Sequence, residues 1–104
     1  MITLDDVQKE VERQIKRDLA GKTELELKSI MMSGLAEETG EVNGLFKREL
    51  RKLPKDLARC TKEHYVEELG DVLWYLVGVL YSQGLTLDEI WQYNIQKLEE
   101  RYGN

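Results

Sequence analysis

Threonine followed three residues later by an acid occurs at Thr3 and Asp6, at Thr23 and Glu26, and at Thr86 and Glu89. In this pattern the hydroxyl accepts an amide of the first helical turn while the carboxylate accepts the threonine's own N–H, so each pair starts a helix. Thr61, with Glu63 in the following turn, is a weaker fourth start. Stops are as legible: Gly21 after the first helix, Pro54 in the middle connection and Gly84 after the third helix. The signals predict four helices, near 4–20, 24–50, 62–83 and 87–101. No segment sustains apolar–polar alternation between turn residues, so no sheet is expected. The fold class is therefore all-α, a four-helix bundle-like single domain over residues 1–104, without internal repeats or low-complexity tracts.

Acids interrupt the apolar stripes of the two middle helices. Glu37-Glu38-Thr39-Gly40-Glu41 and Glu67-Glu68-Leu69-Gly70-Asp71 carry the same spacing twice. Carboxylates at i and i+3 share a face, so Glu38 pairs with Glu41 and Glu68 with Asp71. Glu38 lies three, four or seven residues from Met31, Gly34, Leu35, Val42 and Leu45, where a core side chain belongs. Glu68 stands likewise among Tyr65, Val72, Tyr75 and Val79, with Asp71 about 60° to one side at roughly 100° per residue. No Lys or Arg falls on either stripe near the acids. Burying an unpaired carboxylate costs several kcal/mol or forces it to protonate, so a cation is implied, and hard cations such as Mg²⁺ take oxygen ligands. Gly34, Gly40 and Gly44, and also Gly70 and Gly78, mark either close helix contacts or a gap for a ligand.

At 104 residues with 41% hydrophobic composition the chain has room for one small core, which a homo-oligomer is expected to complete. A net charge of −5 argues against a sequence-independent grip on nucleic acid. Cys60 is the sole cysteine, so no intrachain disulfide can form, and a reducing cytoplasm fits. There is no apolar run near 18 residues and no basic-then-apolar start, so neither a membrane span nor a signal peptide is expected. His64 lacks the glutamate three residues earlier that a di-iron carboxylate bundle requires; Thr61 stands there instead.

Asn94 interrupts the last stripe, among Leu87, Trp91, Ile95, Leu98 and Tyr102, with Lys97 and Arg101 along one flank. These three suit a phosphate-binding wall, or else register and the helix C-terminal dipole. The basic stretch Lys47, Arg48, Arg51, Lys52, Lys55, Arg59 and Lys62 reads mainly as a helix end and a solvated loop, with one or two members in reach of a triphosphate. Trp74, Tyr75, Tyr81, Trp91 and Tyr93 read as core or subunit-interface residues before base-stacking ones.

Three runs together carry a family resemblance: Gly34-Leu35-Ala36-Glu37-Glu38-Thr39-Gly40-Glu41-Val42, Glu67-Glu68-Leu69-Gly70-Asp71-Val72-Leu73-Trp74-Tyr75, and Asn94-Ile95-Gln96-Lys97-Leu98-Glu99-Glu100-Arg101-Tyr102. From about residue 30 onward the chain resembles the MazG-type all-α nucleotide pyrophosphohydrolases. The resemblance implies Mg²⁺-dependent hydrolysis of a nucleoside triphosphate between the α and β phosphates, with Mn²⁺ as a substitute metal. It implies Glu38, Glu41, Glu68 and Asp71 as metal ligands, and Glu37 and Glu67 as groups outside the ligand set that orient water. Glu37, Glu38 and Glu41 would form the catalytic acids, Asn94, Lys97 and Arg101 the substrate contacts, and the assembly would be a homodimer or homotetramer. Phosphoribosyl-ATP pyrophosphohydrolase, which shares the acidic pattern, stays open, as does a non-catalytic oligomerisation module with a structural metal.

Overall fold

The computed structural model describes residues 1–103, so residue 104 of the expected 1–104 domain lies outside the described residues. Five helices follow in order: α1 (Leu4–Asp18), α2 (Glu24–Arg51), α3 (Pro54–Leu57), α4 (Lys62–Ser82) and α5 (Leu87–Tyr102). Thr3, Thr23 and Thr86 sit in extended backbone and close reciprocal caps with Asp6, Glu26 and Glu89. Thr61 caps α4 on one side only, accepting the His64 N–H. The four long helices end within two residues of the expected bounds, no strand occurs among the described residues, and the all-α expectation holds. No described helix is long and apolar enough to cross a membrane.

The short α3 corrects the four-helix expectation. Pro54 does not merely end α2; it opens α3, because the first helical position has no intrahelical use for an N–H and suits proline's fixed φ. Arg51 then fixes the corner. Its guanidinium donates two hydrogen bonds of 2.7 Å to Asp56, whose buried carboxyl is held below the usual carboxylate range by that contact.

α2 and α4 form the central pair, with α1 packed on α4, α5 on α1 and α3 on α2. Their contacts run in opposite senses: Met31 meets Gly78, Gly34 meets Tyr75, and Glu49 accepts a hydrogen bond from the Tyr65 hydroxyl at 2.6 Å. The pair is therefore antiparallel, with the two acidic clusters at the same level. A Cβ at Gly34 would collide with the Tyr75 ring, and one at Gly78 with the Met31 sulfur, so these two glycines exist for helix approach. Gly40 and Gly70 instead border open space.

One chain closes only part of a bundle. Val11, Ile15, Met31, Val77, Val79, Leu80 and Leu87 make the buried cluster, with Trp74, Tyr75 and Tyr81 packed against it. Gln8 ties α1 to the start of α5: buried, it accepts the Leu87 N–H at 3.0 Å and donates to the Leu85 carbonyl at 3.5 Å. Beyond that tie α5 projects from the pair, leaving Trp91, Tyr93, Ile95 and Leu98 exposed. The radius of gyration is 16.7 Å, against about 13 Å for a compact chain of this length.

Candidate metal centre

The antiparallel register of α2 and α4 brings five acids to one level. Glu37, Glu38 and Glu41 each offer an oxygen within 4.8 Å of the others, and Glu38, Glu68 and Asp71 do the same across the helix pair. Glu38 belongs to both groups. Glu41 extends the link by its direct contact with the Glu68 carboxyl. Inward-facing apolar positions on both helices force this meeting: the acids occupy the stripe that packs α2 on α4.

The interior of the group is short of partners. Glu38 Oε2 and Glu68 Oε2 are buried and accept no hydrogen bond, and no Lys or Arg forms an ion pair with any of the five acids among the described residues. Burial, then the charges of Glu41 and Asp71, push the Glu38 carboxyl above its ordinary pKa. Glu68 is pushed up to about 7, first by its contact with Glu41, then by burial and the neighbouring charges. Two buried oxygens with no donor in an all-carboxylate set are what a hard divalent cation satisfies. No thiolate or imidazole lies in the set, which disfavours a softer metal. The residues therefore fit Mg²⁺ or Mn²⁺.

A cleft of about 490 Å³ opens beside the acids, lined by Glu37, Gly40, Glu41, Gly44, Leu45, Arg48, Arg59, His64 and Glu68. The MazG nucleotide pyrophosphohydrolase domain, as a family model, matches residues 26–104. The chain belongs to this family. The match takes in both acidic clusters, the cleft and α5, while all of α1 precedes it. The MazG chain is also similar to the Gene 37 protein of Mycobacterium phage L5, at 30% identity over 73 residues, which is 70% of this chain. The aligned part spans 64% of that phage protein's length. No solved structure matches this MazG chain.

The expected site residues divide in two. Glu37, Glu38, Glu41, Glu68 and Asp71 come together in the MazG chain as described, with Glu38 and Glu68 half-buried and the other three exposed at the edge. Glu67, expected at the rim beside Glu37, is exposed and joins neither oxygen group. Asn94, Lys97 and Arg101 are not part of the cleft. Asn94 and Lys97 border an apolar groove with Leu76, Ile90 and Trp91, and Lys97 and Arg101 flank a smaller hollow on α5. The reason is α5's packing on α1, which carries it away from the acids. In their place stand Arg48, Arg59 and His64. Spacing held a partial signal for these: Arg48 follows Glu41 by seven residues and His64 precedes Glu68 by four, each pair on one helical face.

Proposed function

We propose that this chain is a divalent-metal-dependent nucleoside triphosphate pyrophosphohydrolase, converting ribo- or deoxyribonucleoside triphosphates to monophosphates and pyrophosphate. The observation that carries the reading is the pair of orphaned carboxylate oxygens, Glu38 Oε2 and Glu68 Oε2, inside a ring of acids at the edge of a cleft. Glu38, Glu41, Glu68 and Asp71 would hold Mg²⁺, with Mn²⁺ as a substitute. The cation supplies positive charge that admits a polyphosphate among carboxylates and makes nearby water more acidic. Glu37, exposed at the cleft rim, accepts a hydrogen bond from the attacking water and relays its proton to solvent. The water oxygen bonds to the α phosphorus and the bond to the α–β bridging oxygen breaks.

Product analysis with Mg²⁺ and a panel of nucleoside triphosphates tests this. Monophosphate plus pyrophosphate is the expected result. Orthophosphate release would overturn the assigned bond. Turnover of phosphoribosyl-ATP alone would move the substrate to that compound.

The working form is a homodimer or homotetramer of this single domain, in the cytoplasm, with no nucleic acid or membrane partner. The open shape of the chain supports it, as do exposed Leu25, Met32, Phe46 and Leu50 on α2, Val66, Leu69 and Leu73 on α4, and Trp91 and Leu98 on α5. Asn94, Lys97 and Arg101 then reach a cleft by crossing to a neighbouring copy. Sedimentation should give a mass at least twice that of the 12.2 kDa chain. A monomer at micromolar concentration would remove both the assembly and the role of these three residues.

A further inference from the structure

We propose that Arg48 and Arg59 form the polyphosphate wall of the cleft and hold the two phosphates that leave as pyrophosphate. The inference rests on the pyrophosphohydrolase reading and assigns the leaving group to residues of the same chain as the acids. Along the antiparallel pair the cleft changes character: Arg48 lies two turns beyond Glu41 on α2 and His64 one turn before Glu68 on α4, at the level of the Glu49–Tyr65 contact, and Arg59 also lines the cleft. Its floor is made by Gly40 and Gly44, one helical turn apart on α2.

The floor is what makes Arg48 available. A Cβ at Gly44 would lie 3.4 Å from Arg48 Nη1, so this guanidinium folds back along α2 over the glycine, within the cleft. A Cβ at Gly40 would meet nothing within 4 Å, leaving room between Arg48 and the acids. A glycine in a helix interior is less stable than alanine, so two on one cleft floor trade helix stability for space. Among the described residues neither Arg48 nor Arg59 has a carboxylate within ion-pair distance, whereas neighbouring Arg51 is committed to Asp56. Guanidinium groups present paired N–H donors that match non-bridging phosphate oxygens. His64 keeps Nδ1 on the Thr61 hydroxyl at 2.8 Å, leaving Nε2 as its remaining ring nitrogen.

This polarity sets the direction of the substrate. Attack at the α phosphorus requires that phosphate beside the acids, so the β and γ phosphates lie over the Gly40–Gly44 floor towards α3. As the bond to the bridging oxygen breaks, its electron pair leaves with pyrophosphate, and the new negative charge forms next to the two guanidinium groups.

Inorganic pyrophosphate with Mg²⁺ is the probe, measured by calorimetry and by inhibition of triphosphate turnover. In the Arg48→Gln/Arg59→Gln double variant, pyrophosphate should bind at least tenfold more weakly while nucleoside monophosphate binding changes less than twofold. Unchanged pyrophosphate affinity, or equal loss for both ligands, overturns the wall. Gly40→Ala provides a charge-neutral second variant: it should melt slightly higher, as a better helix former, and still bind pyrophosphate several-fold more weakly. A higher melting temperature with undiminished pyrophosphate binding counts against the floor and the direction assigned. Wild-type protein that binds pyrophosphate through these arginines but cleaves no triphosphate would sink the proposed reaction while leaving the wall in place.

Discussion

Glu38→Gln should lower kcat/KM by at least ~10³, a loss of about 4 kcal/mol of transition-state stabilisation, while the metal-free protein melts higher than wild type. Both effects follow from one position. Glu38 is the residue common to the two oxygen groups, so no other single change removes a ligand atom from each. Its Oε2 is buried without a donor, and burial with the charges of Glu41 and Asp71 raises its pKa, so the ionised side chain destabilises the metal-free fold. Glutamine keeps the shape, removes the charge and can donate to a neighbouring carboxylate. Turnover with saturating Mg²⁺ and thermal melting in chelator are the measurements. A non-catalytic module with a structural metal would show the melting shifts but would have no turnover to lose. Retained turnover in the variant would place the reaction elsewhere on the chain.

Local chemistry was readable along the chain, and chemistry created by packing was readable only in part. The caps at Thr3, Thr23 and Thr86 involve residues three apart, so sequence spacing alone contains the whole interaction. Glu38 and Glu68 were legible because an acid on an apolar stripe conflicts with burial, and that conflict is relieved only by a cation or a bound proton. Pro54 was ambiguous for a physical reason: a proline that ends one helix is equally suited to open another. Its second role depends on the Arg51–Asp56 pair and on the packing of α3 against α2. The glycines show the same limit. Gly34 and Gly78 face an opposing side chain while Gly40 faces open cleft, yet all three look alike in sequence. For Asn94, Lys97 and Arg101, helical spacing could not say which way α5 would leave the bundle, and the three line two different hollows away from the acids. The basic stretch from Lys47 to Lys62 allows one or two members to reach a triphosphate without saying which; Arg48 shares a face of α2 with Glu41, but Arg59 lines the cleft only through the fold of the α3–α4 connection.

Magnesium should reverse the pH dependence of stability. The metal-free protein should lose stability as pH rises from about 4.5 to 7, and the Mg²⁺-saturated protein should gain it over the same range. In the metal-free fold Glu68 holds its proton up to about 7, above the ordinary glutamate value of 4.5 at which the unfolded chain releases it. Between those values the folded state binds more protons, so raising the pH favours unfolding. Glu38 is shifted in the same direction and adds to the slope. Partial solvation of the cleft reduces the effect to about 1–2 kcal/mol, or roughly 5–10 °C in melting temperature. Cation binding requires the carboxylates ionised, so the gain from Mg²⁺ grows as the same protons leave. Other acids titrate elsewhere: Glu10, held near 2 by its hydrogen bonds to Arg13 and Gln14, and Asp56, lowered by Arg51, add stability with rising pH only below about 4.5. Melting curves at pH 5, 6, 7 and 8 in chelator and in Mg²⁺ would show two lines diverging with pH. Glu68→Gln should flatten the chelator line. If metal-free wild type instead gained stability between pH 5 and 7, or if Mg²⁺ left the curves superimposed at pH 8, the five acids would not form a cation site.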